Sequence, residues 1–236
     1  MSLSPKVWSK FSVKKKDGTV LNLRIVEMPK YLHDEVINMY MNHFVKEENT
    51  FIAAGVPANP KALEELHGPL LQISSEDGFN IVICCLDNED DKIKVVAGAS
   101  SMVLISKDDP EPELPFETKE MKKLFEIVHG LEAEYNEIKQ FDLDRCFSDR
   151  GLFVCPEYRG LGIAQELLRV RRLICKEHGI PINGAWMTSY GTQKAAERDG
   201  WETVCELQYE DLGEKYGVTF TKEPPSSKFM IARIEL

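Results

Sequence analysis

The stretch Leu152-Phe153-Val154-Cys155-Pro156-Glu157-Tyr158-Arg159-Gly160-Leu161-Gly162-Ile163-Ala164 decides how the rest of the chain is interpreted. A short apolar run ends at Pro156, a loop with two glycines follows, and an amphipathic helical pattern then continues to Gly179. The first N–H groups of a helix have no partner within the helix, and the helix dipole favours anions at this end. The stretch therefore predicts either an ordinary strand–turn–helix or one whose helix N-terminus binds a phosphate or pyrophosphate.

The string Arg159-Gly160-Leu161-Gly162-Ile163-Ala164 resembles the Arg/Gln-x-x-Gly-x-Gly/Ala signature of the GCN5-related N-acetyltransferases. It lacks the Gly-Lys-Ser/Thr ending of a Walker loop, and Tyr158 stands where a dinucleotide fingerprint would have its first glycine. The resemblance implies a site for the pyrophosphate of acetyl-CoA as co-substrate. The residues that it implies for coenzyme contact are Leu152, Phe153, Val154, Arg159, Gly160, Leu161, Gly162, Ile163 and Ala164.

The composition narrows the class of protein. The chain has 236 residues with 29 Lys and Arg against 39 Asp and Glu, a net charge of -10 that argues against nucleic acid as the main partner. We expect a cytoplasmic protein without membrane contact, because no apolar run approaches a membrane span and the start lacks a signal-peptide core. The six cysteines have no Cys-x-x-Cys spacing and the five histidines are scattered, so we expect reduced thiols and no metal.

Hydrophobic periodicity predicts an alternation of strands and helices. A hairpin turning at Asp17-Gly18 is the clearest signal, and Gly98 inside a strand indicates a bulge or a close approach of two backbones. We expect solvated connections at residues 87–91 and at the acidic, proline-rich residues 106–118. The predicted strands are 8–13, 19–26, 80–86, 92–105, 152–154, 183–188, 201–209 and 228–234, and the predicted helices are 29–44, one starting at 59–60, 118–139, one following the signature, and 189–199.

This order of elements is that of the N-acetyltransferase fold, and no repeat or linker divides the chain, so residues 1–236 are expected to form a single domain. The resemblance implies an α/β (α+β) fold with a central mixed, mostly antiparallel, twisted sheet of about seven strands flanked by helices. It also implies that strands 152–154 and 183–188 splay apart, so that exposed backbone groups pair with the pantetheine arm. A backbone N–H near Val154 would then donate to the thioester oxygen.

Acetyl transfer to an amine requires a group that removes the ammonium proton. After the first long helix, residues 43–50 resemble the Phe-Phe-x-Asp-Glu-Pro-Leu segment of the insect arylalkylamine N-acetyltransferases, which places the base of that branch on Glu48. Asn49 stands where Pro is usual and Thr50 where Leu is usual. Glu47 is the alternative base, and a pair of surface glutamates that ends a helix is the alternative interpretation.

Hydroxyl residues follow Met187. The resemblance places Ser189 where many acetyltransferases have an asparagine beside the coenzyme, and Ala196 where many have a tyrosine general acid. Thr188 and Thr192 match the spacing of two hydroxyl residues in the arylalkylamine branch, where they would orient substrate or assist thiolate departure. Equally, the serine could cap its helix and the threonines could pack. A covalent acyl-cysteine at Cys155 is disfavoured by its apolar neighbours and the lack of an activating histidine.

The sequence thus predicts a monomeric acetyl-CoA-dependent N-acetyltransferase that binds acyl-CoA and a small primary amine. The resemblance implies an arylalkylamine such as dopamine, serotonin or tyramine, attacked directly in a ternary complex with Glu48 as base and Thr188, Ser189 and Thr192 nearby. Residues 106–139 could roof a closed pocket for such an amine. The alternatives are a polyamine or agmatine-like acceptor, a protein amine with an open groove, and a non-catalytic acyl-CoA-binding module.

Overall fold

The computed structural model describes residues 4–76, 78–88, 92–110 and 116–236. Strands and helices alternate along these residues in nearly the predicted order. The strands are β1 Val7–Lys14, β2 Val20–Glu27, β3 Phe79–Leu86, β4 Val96–Ser106, β5 Arg145–Val154, β6 Ile182–Met187, β7 Glu202–Gln208 and β8 Ser226–Arg233. The helices are α1 His33–Tyr40, α2 Asn49–Ala54, α3 Pro60–Ile73, α4 Lys119–Glu134, α5 Glu137–Phe141, α6 Ile163–Glu177, α7 Tyr190–Arg198 and α8 Tyr209–Tyr216.

The strands form one sheet in the order β1-β2-β3-β4-β5 and a smaller sheet in the order β6-β8-β7, with antiparallel pairing throughout. The predicted fold class, a mostly antiparallel sheet architecture flanked by helices, is confirmed, although the strands divide into two sheets. Helix α6 covers one face of the larger sheet, where Leu167 packs near Leu23. Helix α1 covers the other face, where Val36 packs near Ile83.

Several local predictions are confirmed. β1 and β2 form the expected hairpin, and the Asp17 carboxylate accepts a hydrogen bond from the Thr19 N–H at 2.9 Å in its turn. Asn59 caps α3 by accepting from the Lys61 N–H at 3.0 Å. Gly98 meets both expectations: a register shift lies beside it, and an added Cβ would lie 2.6 Å from the Phe153 carbonyl oxygen.

Other predictions are wrong. The single helix expected over residues 118–139 is two helices, because Tyr135 is extended at φ -149° and Asn136 caps α5 through the Lys139 N–H. The strand expected over residues 92–105 begins only at Val96. The short helices α2 and α8 were not predicted, since each is too short to show a clear apolar period. Of the expected connections, residues 89–91 and 111–115 lie outside the described residues.

The larger sheet ends at β5 and the smaller sheet ends at β6, and a gap separates these two edge strands. Helix α6 connects these strands along the chain, yet no backbone ladder joins them in the described structure. At one end the Asn183 side-chain amide donates to the Phe147 carbonyl oxygen at 3.2 Å and holds the strands together. We call this space, from Phe147 and Asn183 to the ends of both strands at Val154 and Met187, the β5–β6 gap. It corresponds to the splay that the family resemblance implied for strands 152–154 and 183–188.

A buried carboxyl group lies beside the closed end of this gap. Glu137, in the first turn of α5, is 7% exposed, and an added Cβ at Gly184 would lie 2.5 Å from its Oε2. Burial raises the pKa of Glu137 to about 7, and the hydrogen bond with the Cys146 thiol lowers it only in part. The glutamate is therefore protonated in the folded protein over much of the mildly acidic range.

Glu137 makes folding stability depend on pH. Because its folded-state pKa of about 7 lies above the ordinary value of 4.5, the unfolded chain releases this proton first as the pH rises. Stability is therefore lost between about pH 4.5 and 7, by roughly 3 kcal/mol. Glu137→Gln should abolish that part of the loss in urea unfolding at pH 5 and pH 8. The control variant is E64Q, because Glu64 on α3 is exposed and is not among the groups that shift the pKa of Glu137. An identical pH dependence in E137Q and the wild type would contradict the prediction.

Candidate active site

The signature loop ends in an uncapped helix N-terminus. Gly160 and Gly162 have φ values of 76° and 80°, a region that side chains rarely adopt, and Gly162 is the N-cap of α6 without a side-chain hydrogen bond. The first helical bond joins the Glu166 N–H to the Gly162 carbonyl. The N–H groups of residues 163–165 therefore have no intrahelical partner. This geometry fits the anion site predicted for Gly160, Leu161, Gly162, Ile163 and Ala164.

The end of β5 presents backbone donors to the gap. The Cys155 N–H donates to the Ala97 carbonyl oxygen at 2.9 Å and thus points toward β4. Since the hydrogen-bonding direction alternates along a strand, the N–H groups of Val154 and Leu152 point away from β4, toward the β5–β6 gap. The Phe153 side chain is buried in the cluster under α1. The predicted donor near Val154 thus faces the gap.

Arg159 joins the signature loop to the segment that carries the predicted base. Its Nε donates to the Val154 carbonyl oxygen at 2.9 Å, and its Nη2 lies 2.8 Å from Oε2 of Glu47. Both side chains are close to half-exposed. In this arrangement Arg159 braces the signature loop against the segment that carries Glu47. Glu47 is committed to an ion pair.

Glu48 is buried and its two carboxylate oxygens differ. The residue is 7% exposed and caps α2, where Oε2 accepts from the N–H groups of Thr50 and Phe51 at 2.8 and 3.0 Å and from the Thr50 hydroxyl. No hydrogen bond of standard geometry reaches Oε1 from the described residues. Burial raises the pKa of Glu48, and the Thr188 hydroxyl is first among the groups that partly oppose this. One oxygen is fixed and the other is available as a proton acceptor.

A buried network ties the Glu48 segment to the end of β6. The Asn49 side-chain amide and the Tyr209 hydroxyl each donate to the Thr188 carbonyl oxygen at 2.6 Å. The Thr221 hydroxyl donates to Oδ1 of the Asn49 side chain. Asn49, Tyr209 and Thr221 were missed by sequence reasoning because they are far apart in the chain. The only signal was the replacement of the usual proline at position 49.

The predicted hydroxyl residues separate into two groups. Thr188 lies beside Glu48, as the preceding contacts require. Ser189 caps α7 by accepting from the Thr192 N–H at 3.2 Å, and the Thr192 hydroxyl donates to the Ser189 carbonyl oxygen at 3.0 Å. The contacts of Ser189 and Thr192 are thus those of a helix cap. Ala196, at the position where many acetyltransferases have a tyrosine general acid, is fully buried. Tyr190, the tyrosine nearest to it in the sequence, is exposed.

The interior of the site disfavours a thiolate nucleophile. Cys155 is 2% exposed, and burial raises the pKa of its thiol to about 11. A thiol with such a pKa is almost wholly protonated at neutral pH and is a poor nucleophile. This supports direct transfer over an acyl-cysteine. In the described ranges no cluster of three His, Cys, Asp or Glu could hold a metal ion, and no helix there is long and apolar enough to cross a membrane.

Comparisons with known proteins identify similar structures. No protein-family model and no curated protein sequence matches the chain. The protein named arylalkylamine N-acetyltransferase 7 from the yellow fever mosquito Aedes aegypti superposes with a TM-score of 0.85 at 21% identity, over 98% of this chain and 96% of its own. Arylalkylamine N-acetyltransferase 2 from Aedes aegypti gives 0.71 at 21% identity, over 90% and 99%. A polyamine N-acetyltransferase from Drosophila melanogaster gives 0.67 at 12% identity, over 90% and 100%.

Identities this low show the fold and leave the substrate open. The superpositions cover nearly the whole chain. The chain therefore has the fold of the GCN5-related N-acetyltransferases and resembles the insect arylalkylamine N-acetyltransferases among them.

Proposed function

We propose that this protein transfers the acetyl group of acetyl-CoA to the primary amine of a small arylalkylamine. The observation that carries the proposal is the buried Glu48 carboxylate, whose Oε1 accepts no hydrogen bond of standard geometry from the described residues and whose segment is tied to Thr188 at the end of β6. The signature loop lies at the same end, linked to that segment through Arg159 and Glu47. The mosquito proteins with similar structures are named for arylalkylamines, which supports this class of acceptor.

The residues around the gap fit an acyl coenzyme A. The uncapped N-terminus of α6 offers N–H groups to a pyrophosphate. The unladdered edge of β5, including the Leu152 and Val154 N–H groups, can pair with the amides of a pantetheine arm as an added strand would. Acetyl-CoA supplies the thioester. The Val154 N–H donates to the thioester oxygen, where negative charge develops during attack.

Glu48 acts as the base in a direct transfer. Its Oε1 takes a proton from the acceptor ammonium, directly or through one water, and the amine nitrogen attacks the thioester carbon. The C–N bond forms and the C–S bond breaks. The nitrogen releases its second proton as the amide forms, and the leaving thiolate of coenzyme A takes up that proton. Burial raises the pKa of Glu48 toward the working pH, which makes the carboxylate a stronger base than an exposed glutamate.

The cysteines of the protein fit action in the cytoplasm. All six are free thiols, and five of them are buried.

A polyamine or agmatine-like acceptor is the second candidate. Asp149, 28% exposed on β5, is a second carboxylate whose charge acts with that of Glu48 to raise the pKa of the Tyr40 phenol, after burial. Its Oδ1 pairs with the Arg171 guanidinium, so an acceptor cation would bind at Oδ2. Two carboxylates on one side of a site would suit an acceptor with two cationic groups. The similarity to the Drosophila melanogaster polyamine N-acetyltransferase points the same way.

A thiol-release assay separates these possibilities. With acetyl-CoA in excess, tyramine, dopamine and serotonin should give kcat/KM values at least tenfold above those of agmatine, spermidine and a lysine peptide. The reverse order would replace the arylalkylamine with the second candidate. Tight coenzyme binding in calorimetry without turnover on any amine would instead identify a non-catalytic binding module.

A further inference from the structure

Helix α6 carries a buried charge on its apolar side. Arg171 is 1% exposed and is the largest of the fully buried side chains among the described residues. Its Nε donates to the Ser100 hydroxyl at 2.7 Å, and its Nη2 donates to the Gly151 carbonyl oxygen at 3.1 Å. Nη2 also lies 2.7 Å from Oδ1 of Asp149. A buried guanidinium is tolerated only with such partners, and all of them belong to β4 and β5.

These partners surround a bulge between β4 and β5. The register shifts between Ser100 and Met102, and the Ser101 hydroxyl donates to the Arg150 carbonyl oxygen at 2.9 Å. Gly151 has a φ of 108°, and its N–H donates to Oδ1 of Asp149 at 3.0 Å. Both backbone groups of Gly151 are therefore fixed: the Asp149 carboxylate accepts from its N–H, and the Arg171 guanidinium donates to its carbonyl oxygen.

The other side of the bulge supports the segment that leads to Glu48. An added Cβ at Gly151 would lie 2.8 Å from the Tyr40 ring and 3.0 Å from the Phe44 ring, so both rings pack directly on this backbone. The rings stack on each other at 4.6 Å. The Glu48 N–H donates to the Phe44 carbonyl oxygen at 2.8 Å. A short chain of contacts thus runs from α6 through the bulge to the backbone of Glu48.

We propose that Arg171 is a positioning residue for acyl transfer: it fixes the bulge at Gly151, and through Tyr40 and Phe44 it sets the position of Glu48 relative to helix α6. The proposal rests on the function proposed above, since it takes Glu48 as the base and α6 as the coenzyme-binding helix. The fork of N–H groups on arginine bonds the Ser100 hydroxyl, the Gly151 carbonyl and the Asp149 carboxylate together. A lysine ammonium cannot span this set in the same plane.

Kinetics of Arg171→Met and Arg171→Lys test the positioning role. R171M should lower kcat at least tenfold, because Glu48 moves out of register with the thioester, while the KM for acetyl-CoA changes less than threefold. R171K should recover part of kcat. The matched control is Arg172→Met on the same helix, which removes a half-exposed arginine bonded to the Asp199 carbonyl oxygen and should leave kcat unchanged.

The pH profile separates positioning from simple loss of stability. The pKa of Glu48 is raised chiefly by burial. If the Tyr40 and Phe44 rings are displaced in R171M, water reaches Glu48 and its pKa falls. The acidic limb of the kcat profile should therefore shift to lower pH. Among the described residues, the groups whose pKa the Glu48 charge raises are Tyr40 and Tyr209, and neither titrates in this range. A lower melting temperature with unchanged kcat, KM and pH limb would overturn the proposal.

Hydrogen exchange gives a readout that needs no activity. The Thr50 and Phe51 N–H groups bonded to Glu48 should exchange at least tenfold faster in R171M than in the wild type, and no faster in R172M. If R171M does not fold, Asp149→Asn replaces it as the test variant. Asparagine keeps an oxygen acceptor but removes the charge paired with Arg171, so D149N should show the same faster exchange at Thr50 and Phe51. Equal exchange in the variant and the wild type would refute the role of Arg171, whereas a wild type inactive on every amine would refute the proposed function alone.

Discussion

Replacing Glu48 with glutamine is expected to lower turnover at pH 7 by about 10²- to 10⁴-fold, the contribution of a positioned general base. The variant keeps an amide oxygen that can accept from the Thr50 and Phe51 N–H groups and so preserves the cap of α2. It loses the proton acceptor at Oε1, which accepts no hydrogen bond of standard geometry from the described residues. Measurement of kcat with a responsive amine, together with the Kd of acetyl-CoA, separates loss of chemistry from loss of donor binding.

The pH dependence of E48Q provides a second test. In the wild type the base must be deprotonated, so activity should rise as the pH passes the pKa of Glu48, which burial holds above the ordinary value of 4.5. Glutamine does not titrate, and the acidic limb should disappear from the profile of the variant. A limb that persists unchanged in E48Q would assign the base to another group.

Glu47→Gln is the matched control for this experiment. The two glutamates are adjacent, yet Glu47 is close to half-exposed and paired with Arg159 at 2.8 Å, whereas Glu48 is buried. An exposed pair of this kind contributes about 0–1 kcal/mol, so E47Q should change kcat less than about fivefold. A large loss in E47Q with a small one in E48Q would exchange the roles predicted for these residues.

The parts of the structure that could be predicted from sequence are those set by neighbouring residues. The turn at Asp17-Gly18 and the Asn59 cap need only local geometry, and the glycines of the signature loop are required by local φ values. The division of the strands into two sheets depends instead on contacts between β5 and β6. One such contact, between Asn183 and Phe147, could not be read from either segment alone.

The surroundings of the candidate base show the same limit. The resemblance to the insect arylalkylamine N-acetyltransferases indicated Glu48 as the base. The groups that orient its segment, however, belong to residues about 140 to 170 positions later, including Thr188 and Thr221. Arg171 lies on a helix whose apolar period is clear, and a charged residue in such a pattern is normally taken as part of the solvent face. Its burial follows from the bulge at Gly151, which has no sequence signal beyond one glycine.

A negative charge in the signature loop should remove donor binding. Gly160→Asp is expected to raise the Kd of acetyl-CoA about 100-fold, or by ~3 kcal/mol, because a carboxylate would stand beside the site proposed for the pyrophosphate. No heavy atom lies within 4 Å of an added Cβ at Gly160, so the side chain meets no steric obstacle, although its φ of 76° adds strain.

Gly160→Asn isolates the charge from the strain. Asparagine has nearly the same shape as aspartate and, like it, tolerates the left-handed backbone region better than other side chains do. The difference in Kd between G160D and G160N is therefore electrostatic, and it should shrink as the salt concentration rises. S-Acetylpantetheine, which lacks the pyrophosphate, should bind both variants equally. If G160D and G160N bind acetyl-CoA with the same Kd, the pyrophosphate does not lie at this loop, and the donor site must be sought elsewhere along the β5–β6 gap.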